Sequence, residues 1–165
     1  MKPRIFSEIG PIEKVYVYSP GNEHNLVLPS DIHPYFIKDE NININKDFLL
    51  FDDIIDLKIA KKQHETFRDI INFYKKDSCV DLRNDFLSIS ETKNIFSKYP
   101  LINLMYPRDI AAIIGNQIYL TSSSSDVRKT ENLLSENFFC NNPEFKESEI
   151  INFKKIGKGL SLEGG

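Results

Sequence analysis

Two apolar runs, Ile110-Ala111-Ala112-Ile113-Ile114 and Gln117-Ile118-Tyr119-Leu120-Thr121, stand on either side of Gly115-Asn116. A two-residue connection between strands needs backbone at positive φ, which Gly and Asn tolerate, so this stretch predicts a β-hairpin. A lone hairpin cannot bury a face in water, and the rest of the chain has to cover it. A helix is expected next, from about residue 126 to 138, reached through the polar linker Ser122-Ser123-Ser124-Ser125. Its inward residues are expected to be Val127, Leu133, Leu134 and Phe138, with the charges Lys129 and Glu131 in solvent.

Upstream, residues 13–18 alternate Val15 and Val17 with larger or polar neighbours between Gly10-Pro11 and Pro20-Gly21, the pattern of a short strand. Residues 29–46 carry Pro29, Pro34 and Asn41-Ile42-Asn43-Ile44-Asn45 without a sustained period and predict a surface loop. Leu57, Ala60, His64, Phe67, Ile71 and Tyr74 then recur at three and four residues, predicting an amphipathic helix over about 54–76. Asp52 and Asp53 are placed to cap its N-terminus, and His64 falls on the apolar stripe as a core histidine. A strand around Val80, a short helix over 90–99, a strand over 150–153, a Lys-Gly turn and a further element from Gly159 to Glu163 complete the reading. Strand, helix, strand followed by hairpin, helix, strand implies an α/β or α+β class with short sheets.

With 165 residues and 41% hydrophobic content the chain can build one real core. A net charge of −3 with both signs mixed throughout lacks the one-signed footprint of a nucleic-acid binder. No run of about 18 apolar residues is present, and the first residues lack the apolar stretch of a secretion signal, so the expected setting is cytoplasmic with no membrane partner. Cys79 and Cys140 have neither the number nor the spacing of a disulfide framework or a zinc site. Both read as free thiols explained by packing, Cys79 ahead of a buried strand and Cys140 at a helix end after Phe138-Phe139.

Asn103-Leu104-Met105-Tyr106-Pro107-Arg108-Asp109 leads into the hairpin, Arg128 follows it, and Glu163-Gly164-Gly165 closes the sequence. A planar guanidinium is best received by two carboxylates approaching in its plane, and Asp109 with Glu163 are the candidates. Arg128 has the chemistry to clamp a carboxylate at the far end of such a ligand. The residues leave a bland reading open at each point: Asp109 as a turn cap or a partner of Arg108, and Arg128 as a surface arginine.

Four blocks resemble the arginine deiminase family within the wider group of guanidino-modifying hydrolases and amidinotransferases. They are Ser7-Glu8-Ile9-Gly10 with the Val15 strand and Pro20-Gly21; Leu50-Phe51-Asp52-Asp53-Ile54 with Gln63-His64-Glu65; Asn103 to Asp109 with Ile114-Gly115-Asn116, Arg128 and Glu131; and Glu163-Gly164-Gly165. The resemblance implies that Asp109 and Glu163 hold the guanidinium and serve catalysis, and that Arg128 binds the α-carboxylate. Asn103 and Tyr106 would line the pocket, and Leu49 and Leu50 would belong to a covering loop. It implies hydrolysis of L-arginine to citrulline and ammonia through a cysteine thiolate and a proton-moving histidine, with no organic cofactor and no metal.

The implied fold is a five-bladed propeller of mixed β and α units, of which about two blades are expected here. Residues 1–165 would be the N-terminal portion of a single catalytic domain, lacking the second half that carries the nucleophile and its histidine motif. The chain alone is therefore expected to be inactive, and exposed sheet edges would invite a homo-oligomer or a complementing C-terminal half. The interval from Asp53 to Asn103 is short for the helical insertion of many bacterial members. An amidinotransferase or dimethylarginine hydrolase acting on another guanidine stays open, as does a non-catalytic module that binds arginine.

Overall fold

A computed structural model describes residues 4–7, 9–28, 53–95, 101–123, 128–157 and 161–162. The expected loop over 29–46, Leu49, Leu50, Asp52, Val127 and Glu163 lie outside the described residues.

Strand β1 (Val15–Val17) pairs in parallel with β2 (Cys79–Asp81), with Val15 opposite Cys79 and Val17 opposite Asp81. Parallel neighbours need a long crossover, and helix α1 (Leu57–Tyr74) supplies it. The helix is capped by Asp56, whose carboxylate accepts from the Lys58 and Ile59 amides, and not by Asp53. Asp56 is the acidic residue one step before the first turn, where a side chain reaches the free amides. The expected inner stripe is half-covered at Leu57, Ala60, His64 and Ile71, while Phe67 and Tyr74 are exposed. His64 lies beside Phe67, and burial lowers its pKa below the ordinary histidine value.

Helix α2 spans Arg83–Thr92, beginning seven residues before the expected 90–99 segment. Leu82 and Phe86, four residues apart, both enter the core and fix that start, while Asp81 accepts from the Arg83 amide. The polar residues between them hid this two-anchor face from a periodicity reading.

The hairpin forms as expected, with β3 (Ala111–Ile114) antiparallel to β4 (Gln117–Leu120) and Gly115 at φ 60°. Strand β5 (Glu149–Asn152) joins β4 in parallel, after helix α3 (Lys129–Asn141) makes the crossover. A short helix α4 (Phe153–Ile156) follows β5 at once, and the Lys-Gly pair of the expected turn, at 158–159, lies outside the described residues. The chain is thus a mixed α/β arrangement of two small sheets, β1-β2 and β3-β4-β5.

Helix α3 starts later than expected, and its buried face differs. Glu131, Leu134, Ser135, Phe138 and Phe139 point inward, at the three- and four-residue steps of one helical stripe, while Leu133 is 47% exposed. Phe138 and Phe139 meet Phe145 at centroid distances of 5.8 and 4.9 Å, and Phe86 lies 5.5 Å from Phe138. Leu82, Leu104, Ile110, Ile118, Leu120 and Leu134 fill the rest of this core. Each such side chain contributes roughly 1.5–3 kcal/mol by leaving water. The core holds the N-terminal end of β3 and the start of α3 against each other, which positions the site.

Candidate functional site

Residues 102–109 approach the hairpin as two consecutive 3₁₀ turns, Ile102–Met105 and Pro107–Asp109. Pro107 suits the first position of its turn, since it has no amide to leave unpaired there. Asn103 is buried in the first turn, and its carbonyl accepts from the Tyr106 amide at 3.1 Å. The Asp109 amide donates to the Tyr106 carbonyl at 3.1 Å, and the Asp109 carbonyl accepts from Thr121 Oγ1 at 2.8 Å. The next carbonyl, of Ile110, accepts from Ser135 Oγ on α3 at 3.1 Å. The backbone of Asp109 is therefore held from both sides, by the end of β4 and by α3.

The side chain is equally constrained. Arg128 Nη1 donates to Asp109 Oδ2 at 3.2 Å, and Arg128 Nε donates to Glu131 Oε2 at 2.8 Å. Arg128 is only 3% exposed and Glu131 is fully buried. Burial pushes the Glu131 carboxyl up to about 7, only partly offset by Arg128, and Asp109 adds to the rise. Burial would by itself lower the Arg128 pKa, but the charges of Glu131 and Asp109 outweigh it and raise it.

Asp109 and Tyr106 also line a half-open cavity of about 600 Å³ with mostly apolar walls, among them Tyr16, Tyr18, Phe67 and Phe139. At the same end of the hairpin, Ser122 and Leu162 exchange backbone hydrogen bonds of 2.9 and 3.1 Å. Glu163, the second carboxylate expected to share a guanidinium, lies outside the described residues, as do Leu49 and Leu50. Asp109 and Arg128, read from sequence as serving opposite ends of a ligand, hold each other.

Comparison with known proteins bears on what this arrangement is for. The family model described as Arginine deiminase matches residues 72–165, more than half of the chain. The chain belongs to the arginine deiminase family. The arginine deiminases of Borreliella burgdorferi strain ZS7 and Borrelia garinii subsp. bavariensis are 28% and 25% identical to it, each alignment covering 98% of this chain. The arginine deiminase of Listeria monocytogenes serotype 4b strain CLIP80459 is 26% identical, again over 98% of this chain. The chain spans about half the length, 51%, of the curated relatives it matches. Those alignments extend over 225 and 210 positions against 165 residues, so the relatives carry residues inside the matched stretch that this chain lacks.

Within the family match fall Asn103, Tyr106, Asp109, Arg128, Glu131 and Glu163, whereas Leu49 and Leu50 precede it. Glu131 is the site residue that the sequence reading misassigned, since it was expected in solvent. The signal was present: an arginine three residues earlier, and Leu134 three residues later on one helical stripe.

Neither thiol is set up as a nucleophile. Burial raises the pKa of Cys79, in β2, and of Cys140, which is exposed at the end of α3 and not packed as expected. A second polar cluster involves Arg83, whose Nη1 and Nη2 each donate to Glu23 at 2.8 Å while Nη1 also donates to the Ser19 carbonyl at 2.9 Å. Its guanidinium sits 5.4 Å from the centre of the Tyr18 ring. Although burial opposes ionisation, the bonds from Arg83 and His24 hold Glu23 down at about 2. This fork joins the turn after β1 to the start of α2 and acts as a structural clamp.

Proposed function

We propose that this chain carries the guanidinium-recognition part of an arginine deiminase active site, whose complete reaction converts L-arginine to citrulline and ammonia. Asp109 and Glu163 take the edges of the substrate guanidinium, and Arg128 takes the α-carboxylate. Asn103 and Tyr106 line the pocket, and Leu49 and Leu50 belong to a loop that covers it. The two sheets correspond to blades of a five-bladed β/α propeller, in a cytoplasmic protein.

The observation that carries this reading is that the Asp109 carboxylate already holds a guanidinium, that of Arg128, at 3.2 Å beside a cavity. An incoming arginine replaces that internal partner at Asp109, and the terminal nitrogens of Arg128 then become available to the ligand's carboxylate. Support for Glu163 comes from its neighbour: Leu162 bridges Ser122, next to the Thr121 whose hydroxyl bonds the Asp109 carbonyl.

In the reaction a thiolate adds to the guanidinium carbon, ammonia leaves, and water then displaces the thiolate to give citrulline. The carboxylates keep the changing positive charge paired while the carbon becomes tetrahedral. Burial raises the pKa of both thiols of this chain, which supports a nucleophile supplied from another part of the complete enzyme. Titration calorimetry of the chain with L-arginine, combined with an ammonia assay, tests the reading. Binding without ammonia release, abolished in Asp109→Ala, is the expected result. Undiminished binding in the variant, or none in the parent chain, overturns it.

A further inference from the structure

Glu131 occupies a position where an apolar residue would pack at lower cost. It shares the inward stripe of α3 with Leu134, Ser135, Phe138 and Phe139, has no exposed surface, and leaves Oε1 without a hydrogen-bond partner among the described residues. A buried ion pair is in general no more stabilising than an apolar replacement of like volume, so stability alone does not account for a carboxylate here. Its other oxygen gives the reason: Oε2 accepts from Arg128 Nε, the nitrogen nearest the side-chain stem. A guanidinium held at one terminal nitrogen can still swing about its stem. Held at Nε as well, its plane is fixed, because both bonds lie in that plane.

We propose that Glu131 is a positioning residue, which grips Arg128 by Nε so that its terminal nitrogens stay aimed into the site when a ligand guanidinium takes Asp109. This rests on the arginine reading of Asp109 and Arg128 given above. Glu131 never touches the ligand. Without it, Arg128 would lose its remaining described partner at the moment of exchange, and the carboxylate end of the ligand would meet a disordered cation. The consequence is selective: Glu131 discriminates for ligands that carry a carboxylate beside the guanidinium, and is indifferent to those that do not.

The test compares L-arginine with agmatine, which is arginine without its carboxylate, by titration calorimetry on the full chain, on Glu131→Leu and on Glu131→Gln. In Glu131→Leu, arginine binding is expected to weaken about 10-fold or more while agmatine binding changes by less than about twofold. Glu131→Gln keeps an acceptor for Nε and is expected to recover arginine binding to within about threefold of the parent chain. Equal weakening of both ligands, or of neither, overturns the proposal. A ligand-free readout stands beside this one, the hydrogen exchange of Arg128 Nε–H followed by NMR in the parent chain and Glu131→Gln, and in Glu131→Leu. Slow exchange in the first two and faster exchange in Glu131→Leu are expected, and one rate shared by all three proteins overturns the proposal. If the parent chain binds neither ligand, the arginine reading fails, and the exchange rate still decides the role of Glu131.

Discussion

Arg128 Nη1 and Asp109 Oδ2 lie 3.2 Å apart although the two residues are 19 positions apart in sequence. The hairpin explains the meeting: β3 leads away from Asp109 and β4 returns over the same four residues, delivering Thr121 and then Arg128 to the starting end. Removing the acid in Asp109→Ala leaves Arg128 nearly buried with Glu131 as its remaining described partner. The expected cost is about 1–3 kcal/mol of stability by urea denaturation. The double variant Asp109→Ala with Arg128→Leu is expected to lose less than the sum of the two single changes, and strict additivity would exclude coupling between them.

The parts of this fold legible in sequence are those governed by local chemistry. Gly115 marks the hairpin because its positive φ suits glycine, and α1 announces itself through the spacing of Leu57, Ala60, His64 and Ile71. Helix α2 was misplaced because only Leu82 and Phe86 anchor it, too few to make a period among polar neighbours. Glu131 reads as solvated because a charged residue ordinarily is, and its burial depends on α3 packing its inward stripe against the core with Arg128, three residues earlier, as ion partner. Asp109 and Arg128 stand out as candidates by residue type and resemblance, but their mutual pairing is a tertiary fact that no local pattern carries.

Protonation of Glu131 gives a stability signature near neutrality. Its carboxyl is raised from the ordinary glutamate value of 4.5 to about 7 by burial, and the charged or titratable groups acting with it are Arg128, Asp109 and Tyr18. The folded state therefore binds this proton more tightly than the unfolded chain. The resulting stability is present below about pH 4.5 and is lost as pH rises through about 7. The loss amounts to as much as about 3 kcal/mol. Urea denaturation between pH 5 and 8 is expected to show this decline in the parent chain and a flatter profile in Glu131→Gln. Parallel profiles would show that Glu131 does not titrate there.

Thiol chemistry tests whether the nucleophile lies outside this chain. Burial raises the pKa of both Cys79 and Cys140, yet Cys140 is exposed and Cys79 only partly so. With a chromogenic disulfide reagent at pH 7, Cys140 is expected to react first and both more slowly than a free cysteine. The double variant Cys79→Ser with Cys140→Ser is expected to bind arginine as the parent chain does. A thiol titrating below about 8.5 would reopen the question of a nucleophile within the chain.

Gly21 tests the clamp between Arg83 and Glu23. A Cβ added there would lie 1.8 Å from Arg83 Nη2, so Gly21→Ala must displace the guanidinium that forks onto Glu23. Glu23, lowered from 4.5 to about 2, contributes stability that is present above about pH 4.5 and is lost as pH falls toward 2. Arg83→Leu removes the same fork without touching the backbone. Both variants are expected to lose about 1–3 kcal/mol at pH 7. Both are also expected to lose less further stability than the parent chain on acidification from pH 4.5 to 2, because the fork that makes folding acid-sensitive at Glu23 is already gone. Thermal denaturation across that range is the measurement. If Gly21→Ala retained the parent's acid limb while Arg83→Leu lost it, the guanidinium would have moved without releasing Glu23, and the close approach at Gly21 would not be what holds the fork in place.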